Sequence, residues 1–495
     1  MAESQTRRDF MKWSGAAALG LAAAGSATPG HAAPRKPRNI IYIMTDDQRF
    51  DAFGMENDFF ETPALDALAR NGAFFENTFV TTSLCSPSRA TILSSQYAHR
   101  HGVMDNRTLL PEGTPTFPVE LQKGGYETAF IGKWHMGGSS DAPRPGFDRW
   151  VSFRGQGVYN NPTFNIDGEK VKREGYMTDL LTDYAVDFLE QDHDQPFFLY
   201  LSHKAVHGDF EPAPRHRGMF DDKEYPYPGS MADTEANYAG KPEWVREQRD
   251  SWHGVDGMYN NNMDFDQFVK SYGEALRAVD DSVARVVETL REKGLLDSTL
   301  ILFTADNGFQ FGEHGLIDKR TMYEASIRIP LIAHCPELIP AGQRRKEMIL
   351  NLDYAPTLLE AAGVPIPDTM QGKSFYGMLD GSDIEWRDAW LYEYFWERAF
   401  PQTPTVVGVR GDRYKFMRYH GVWDKYELYD LKNDPHEMHN LLGDFIQDDE
   451  AGSLGHLIRR RATGETNAAF ETMSRKLFDL LEETGCAAEP NWRPV

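Results

Sequence analysis

The chain has 495 residues, 75 acidic against 52 basic, for a formal net charge of -23. That balance argues against nucleic acid or an anionic membrane surface as partner, and it means that an anionic substrate must be drawn in by a local basic pocket against the overall field. Hydrophobic residues at 41% and charged residues at 26% fit a globular protein in water, and the length calls for one large domain with a smaller one beside it. Three cysteines, Cys85, Cys335 and Cys486, are too few for a disulfide framework. Cys335 and Cys486 either pair or stay as free thiols.

At the N-terminus, Thr6-Arg7-Arg8-Asp9-Phe10-Met11-Lys12 precedes an apolar run from Trp13 to Ala24 and a small-residue stretch at Gly30-His31-Ala32-Ala33. The run is too short and too rich in Ala and Gly to span a bilayer. Residues 1–33 resemble a twin-arginine signal peptide, which implies passage through the twin-arginine translocase, cleavage near Ala32 or Ala33, and a periplasmic or secreted location. No other run is long enough for a transmembrane helix, so no membrane insertion is predicted.

Asn39 to Thr45 is a continuous apolar run of strand length, read as a strand buried on both faces. It ends in Asp46-Asp47. Two adjacent carboxylates repel each other, and a hard cation with oxygen ligands neutralises them directly; an exposed Asp-Asp turn is the alternative. Thr62-Pro63 opens a helix carrying Leu65, Leu68 and Ala69. Cys85-Ser86-Pro87-Ser88-Arg89 reads as another helix start, with Cys85 just outside the first turn and Arg89 one turn in, where unpaired N–H groups favour an anion. Glu127 to Ile131 is a second buried strand, ending in Gly132-Lys133-Trp134-His135. Thr178 caps a helix through Leu189, Pro196 to Leu201 is a third strand running into His203, Lys204 and His207, and Ala275 to Lys293 is a long amphipathic helix. Thr299 to Thr304 is a fourth strand, ending in Asp306-Asn307-Gly308.

This alternation predicts an α/β fold: a large, mixed, mostly parallel sheet flanked by helices on both faces, whose ligands bind outside the carboxyl ends of the strands. Four strands each ending in ionisable residues predict one convergent site. Residues 208–265 lose periodicity and read as a long insertion facing the substrate, with a plain surface excursion as the alternative. Short strands from Val406 to Tyr419 and at Glu427 to Leu431, with a helix from Ala468 to Leu481, predict a smaller C-terminal α+β subdomain. The domains are drawn at 37–375, catalytic, and 385–485, the C-terminal subdomain with a small antiparallel sheet.

Cys85-Ser86-Pro87-Ser88-Arg89 resembles the signature of the type I, formylglycine-dependent sulfatases of the alkaline phosphatase-like superfamily. Similar stretches are Thr45-Asp46-Asp47, Gly132-Lys133-Trp134-His135-Met136-Gly137, the His207 segment, Thr304-Ala305-Asp306-Asn307-Gly308, Gly312-Glu313-His314-Gly315, Asp318 to Glu324, and Glu427 to Leu431 with Asp434-Pro435. The resemblance implies that a formylglycine-generating enzyme converts Cys85 to formylglycine. It implies that Asp46, Asp47, Asp306 and Asn307, with the modified Cys85, hold one divalent cation, Ca²⁺ before Mg²⁺ on the all-oxygen donor set. Arg89 would anchor the formylglycine hydrate, and Lys133, His207 and Lys319 would bind sulfate oxygens. One hydroxyl of the hydrate attacks sulfur while His207 protonates the leaving sugar oxygen; His135 then takes the proton of the second hydroxyl, which expels sulfate. One departure is Ser94-Ser95-Gln96, where the family often has Thr-Gly followed by Arg, Lys or Gln.

The reading is an exported sulfatase acting on sulfate esters of carbohydrates, polysaccharide or glycosaminoglycan-type. His99, His101, Asn106, His314, His420 and Trp423 are further candidates for lining the pocket, each with a structural role as its alternative. Two other functions compete: a formylglycine-dependent phosphonate or phosphate ester hydrolase, which needs one more positive partner for a dianion, and a non-catalytic carbohydrate-binding relative.

Overall fold

A computed structural model describes residues 38–137, 140–260, 264–420, 426–443 and 464–486. The export-signal segment and Trp423 lie outside the described residues. A ten-stranded sheet runs in the order Gln343–Arg345, Ala73–Phe75, Leu331–His334, Leu300–Ala305, Ile40–Thr45, Phe197–Ser202, Glu127–Gly132, Arg149–Ser152, Thr163–Ile166 and Glu169–Lys172. The five strands from Leu300–Ala305 to Arg149–Ser152 are parallel, and Ile43 stands level with Leu201 on one side and Phe303 on the other. Beyond them the sheet is mixed.

Successive residues of Ile40–Thr45 point to opposite faces, and both faces are apolar. Ile41 and Ile43 pack with Leu65 of the helix Pro63–Arg70, Leu181 of Met177–Glu190, and Phe268 and Leu276 of Phe265–Glu292. Ile40, Tyr42 and Met44 pack with Ile92 of Cys85–Ser94, Phe117 of Phe117–Lys123 and Leu358 of Tyr354–Ala362. The strand is fully buried along its length, as its unbroken apolar run predicts.

Three helix starts differ from the sequence reading. The helix predicted from Ala275 begins at Phe265, where the Asp264 carboxylate accepts from Gln267 N at 3.1 Å, and Phe268 and Tyr272 continue its apolar stripe. Thr178 lies inside the first turn of Met177–Glu190 and does not cap it. Cys85 is the first residue of its helix, after an extended Leu84; Pro87 falls at the third position, where a missing N–H forfeits no intrahelical bond.

Ser95 ends this helix in the left-handed region at φ 54°, and its hydroxyl donates to Leu352 O at 2.7 Å and accepts from Gly372 N at 3.0 Å. The departure from the family pattern is thus tied down by side-chain hydrogen bonds. Gln96 donates to Thr369 O at 3.1 Å.

After the main sheet, Ala389–Tyr394, Thr405–Gly411, Tyr414–His420 and Tyr426–Asp430 form a four-stranded antiparallel sheet in chain order. The helix Gly464–Thr484 buries Phe470, Met473 and Leu477 in the cluster beneath it. The first of these strands, Ala389–Tyr394, is not among those the sequence reading predicted. Cys335 and Cys486 are free thiols and do not pair. Among the described residues no helix is long and apolar enough to cross a membrane.

Candidate active site

The carboxyl ends of four neighbouring parallel strands deliver the ionisable residues. Asp46 and Asp47 follow Ile40–Thr45, Lys133 and His135 follow Glu127–Gly132, Lys204 and His207 follow Phe197–Ser202, and Asp306 and Asn307 follow Leu300–Ala305. Gly132 is required where Lys133 leaves the sheet, because a Cβ there would lie 1.7 Å from Ser202 O. Above these ends sits the start of the helix Cys85–Ser94. Cys85 Sγ is 3.6 Å from Asp46 Oδ1, and Asn106 Oδ1, accepting from Ser86 N at 2.9 Å, serves one of the free N–H groups of the first turn.

Each carboxylate meets a buried cation. Arg89 Nε donates to Asp306 Oδ2 at 2.9 Å, and its other nitrogens reach Asp46 Oδ2 at 3.3 Å and Ser202 Oγ at 2.8 Å. Lys133 Nζ donates to Asp46 Oδ2 and to Gln156 Oε1, and Lys319 Nζ donates to both Asp47 oxygens. Burial opposes ionisation of Asp46, but Lys133, His207 and Arg89 together hold it well below the usual carboxylate range. Burial pushes Asp47 up to about 8, with Asp46 adding to the effect and Lys319 opposing it. Burial and Asp46 raise Asp306 as well.

Carboxylate oxygens of Asp46, Asp47 and Asp306 lie within 4.8 Å of one another. Asn307 Nδ2 donates to Asp47 Oδ1 at 2.7 Å and to Gly308 O, while Asn307 Oδ1 is buried with no hydrogen-bond partner. Three crowded carboxylates and one orphaned amide oxygen form an all-oxygen donor set that fits a hard divalent cation. A group of this kind would also offset the burial and, after it, the carboxylate repulsion that raise Asp47.

The surroundings of the two histidines of the site, His135 and His207, disfavour their charged forms. Burial, then Lys133, lowers both His135 and His207 well below the ordinary histidine value. His207 Nδ1 lies 2.7 Å from Gly208 O, so the neutral ring donates there and turns Nε2 toward Asp47 Oδ2, 3.9 Å away. His135 is left-handed at φ 58°, its carbonyl accepts from Ser86 Oγ at 2.5 Å, and its Nδ1 is buried without a partner. Asp47, Asp318 and Arg320 are also left-handed, at φ 59°, 74° and 83°. Strain of this kind gathers where surrounding contacts fix a functional geometry.

All of the residues predicted for the site, Asp46, Asp47, Cys85, Arg89, Lys133, His135, His207, Asp306, Asn307 and Lys319, converge on this one edge of the sheet. The further pocket candidates do not behave alike. His99 bonds Glu393 at 2.8 Å and Thr484 O at 3.1 Å, His101 bonds Thr91 Oγ1 at 3.1 Å, and His314 packs on Tyr323 with ring centroids 4.0 Å apart, all structural contacts. His420 is exposed at the end of its strand. Gln156 was missed because a single glutamine in a loop carries no local signal. Arg320 lay within the matching stretch Asp318 to Glu324 but was given no role; it stands next to Lys319 and pairs with Glu397 at 2.9 Å.

The family described as Sulfatase matches residues 38–364, and the one described as N-sulphoglucosamine sulphohydrolase, C-terminal, matches residues 312–460. The chain is 33% identical to the N-acetylglucosamine-6-O-sulfatase of Bacteroides thetaiotaomicron, over 94% of this chain and 89% of that protein. It is 32% identical to the human N-acetylglucosamine-6-sulfatase, over 76% of this chain and 70% of that one. A solved structure of a protein in complex with its substrate D-glucosamine-2-N,6-O-disulfate superposes with a TM-score of 0.78 at 31% identity, covering 92% of this chain and 99% of the other. The phosphonate monoester hydrolase of Agrobacterium radiobacter, at 22% identity and a TM-score of 0.71 over 90% and 96% of the two chains, shares the fold. With two thirds of its length matched and the site residues gathered at one sheet edge, the chain belongs to the sulfatase family and is a sulfuric ester hydrolase.

Proposed function

We propose that this chain removes the 6-O-sulfate from N-acetylglucosamine or a related glucosamine unit of a sulfated glycan, after export and after conversion of Cys85 to formylglycine. The observation that carries it is the placement of Cys85 at a helix start, 3.6 Å from Asp46, among carboxylates and lysines, in a chain similar over nearly its whole length to N-acetylglucosamine-6-O-sulfatase. Formylglycine supplies an oxygen nucleophile as its hydrate, and a divalent cation, Ca²⁺ by its oxygen donors, supplies positive charge; Asp46, Asp47, Asp306 and Asn307 would hold it.

The chain's own residues do the rest. Lys133 and Lys319 carry the positive charge that meets sulfate oxygens, each held in place by a carboxylate. Arg89, tied to Asp306 and to Lys133 O, fixes the floor beneath Cys85. His207 presents Nε2 where a proton passes to the leaving oxygen; burial first, then Lys133, lowers the free ring, and an arriving sulfate anion would offset the lysine part of that effect. His135, neutral and with an unpartnered Nδ1, is suited to take a proton.

The test is sulfate release from N-acetylglucosamine-6-sulfate, its 2-N- and 3-O-sulfated counterparts and a phosphonate ester, using metal-loaded protein with the aldehyde at Cys85 verified by mass spectrometry. Release from the 6-sulfate that vanishes in Cys85→Ala is expected. Turnover of the phosphonate alone would replace this reading with the phosphonate hydrolase.

A further inference from the structure

Met258, Tyr259 and Asn260 are three consecutive non-glycine residues in the left-handed region, with φ of 35°, 57° and 62°. L side chains adopt it rarely, and such strain persists only where the surroundings over-determine it. Here they do. Met258 N donates to Gly254 O at 2.8 Å, Tyr259 N to Trp252 O at 3.0 Å and Asn260 N to Gly257 O at 2.7 Å. Gly257 has no room for a side chain, since a Cβ would fall 1.9 Å from Ser251 O. The segment is strapped to the stretch leading into Lys319, with Val255 N donating to Gly315 O at 3.0 Å and Ile317 N to His253 O at 2.8 Å.

This backbone sets the Tyr259 ring against Trp252, with centroids 4.3 Å apart. The hydroxyl end of the ring lies beside the turn after His207: a Cβ on Gly208 would sit 3.4 Å from Tyr259 Cε2 and 3.8 Å from Cζ. Burial first, then Asp318, keeps the phenol well above its ordinary value, so it is an O–H donor at any working pH. Among the described residues no group hydrogen-bonds this hydroxyl. The floor of the site is closed, with the Lys133 and Lys319 side chains 0% and 2% exposed, whereas the His207 side chain is 19% exposed and Tyr259 half-buried. Sulfate belongs on that floor, and the part of the substrate that is not sulfate lies at the rim.

We propose that Tyr259 is a specificity-determining residue whose phenolic O–H donates to a sugar oxygen neighbouring the sulfate ester. This rests on the reading of the site as a carbohydrate sulfatase. The strain in residues 258–260 holds the donor where a relaxed loop would not.

The experiment compares kcat/KM of wild type and Tyr259→Phe on N-acetylglucosamine-6-sulfate, or on whichever sulfated sugar wild type cleaves fastest, and on 4-nitrophenyl sulfate, which has no sugar oxygen to contact. Tyr259→Phe keeps the ring packing and removes only the hydroxyl. The expected result is a fall of about tenfold on the sugar, the loss of one hydrogen bond, with less than about twofold on the aryl ester. An equal fall on both substrates, or none on the sugar, overturns the proposal. Isothermal titration of the sulfated sugar into Cys85→Ala, with and without Tyr259→Phe, reads the same contact without turnover: equal affinities overturn it and weaker binding supports it. Wild type that cleaves the aryl ester and no sugar would instead refute the carbohydrate reading itself and take this proposal with it.

Discussion

Arg320, the neighbour of Lys319, is held by a residue that enters the chain much later, and removing that residue should disturb the site without touching it. Glu397 accepts from Arg320 Nε at 2.9 Å and from Tyr394 Oη at 2.9 Å, and the paired side chains of Arg320 and Glu397 are each 4% exposed. Arg320 is otherwise met by His253 Nε2 at 3.2 Å, Asp318 Oδ2 at 3.4 Å and the Phe400 ring at 4.2 Å. Taking one partner from a buried pair costs about 3–5 kcal/mol, because the other charge stays buried. Asp318 remains to soften the loss, so the lower end applies. The left-handed Asp318 and Arg320 on either side of Lys319 store roughly 1–3 kcal/mol each, which the Glu397 contact helps to offset. Without it the turn relaxes and Lys319 leaves Asp47.

In Glu397→Ala, kcat/KM for sulfate release should therefore fall about 100-fold, equivalent to roughly 2.7 kcal/mol of transition-state stabilisation. Glu397→Gln, which still accepts from Arg320 and Tyr394, should lose only about tenfold. Steady-state kinetics with both variants, alongside circular dichroism to show retained fold, decide the matter. Kinetics of Glu397→Ala within twofold of wild type would refute the latch, as would equal losses in the two variants.

Other consequences can be measured independently. Asn307→Ala removes the orphaned oxygen from the donor set, and calorimetry should show Ca²⁺ binding weakened by at least about tenfold; unchanged affinity would move the cation elsewhere. His99 is raised to about 10 from 6.5: burial opposes its charge, but hydrogen bonds with Cys486 and Glu393 outweigh it. Because its folded value lies above its unfolded one, its stabilisation is complete below pH 6.5 and is lost as pH rises through about 10. Thermal unfolding of wild type should weaken across that window, and His99→Ala should flatten the slope; an unchanged slope would mean that His99 is uncharged in the folded protein.

Much of this architecture was legible because buried parallel strands announce themselves as unbroken apolar runs, and each of the four ended in residues that a solvent turn would not need. Asp46-Asp47 and Asp306-Asn307 stood out against their own strands. The helix start at Phe265 was missed although Phe265, Phe268, Val269 and Tyr272 already stand at helical spacing with Gln267 on the outer face, because the aperiodic stretch before it hid where the stripe begins. Gln156, Glu397 and Tyr259 could not be read locally at all. They reach the site through loops whose course is set by tertiary contacts, and Tyr259 through a backbone conformation that no propensity favours.

Cys85 is wholly buried at the first residue of its helix, its thiol facing Asp46. On the proposed chemistry, the buried sulfur of the folded molecule is open at most to a small sulfate group arriving past the part-exposed His207, and a modifying enzyme has to engage the segment before it packs. Maturation is then a race between two rates, capture of the nascent segment and closure of the sheet over it, and a molecule that folds first is sealed as an inactive thiol. Specific activity in any preparation would report the outcome of that race as much as the quality of the catalyst.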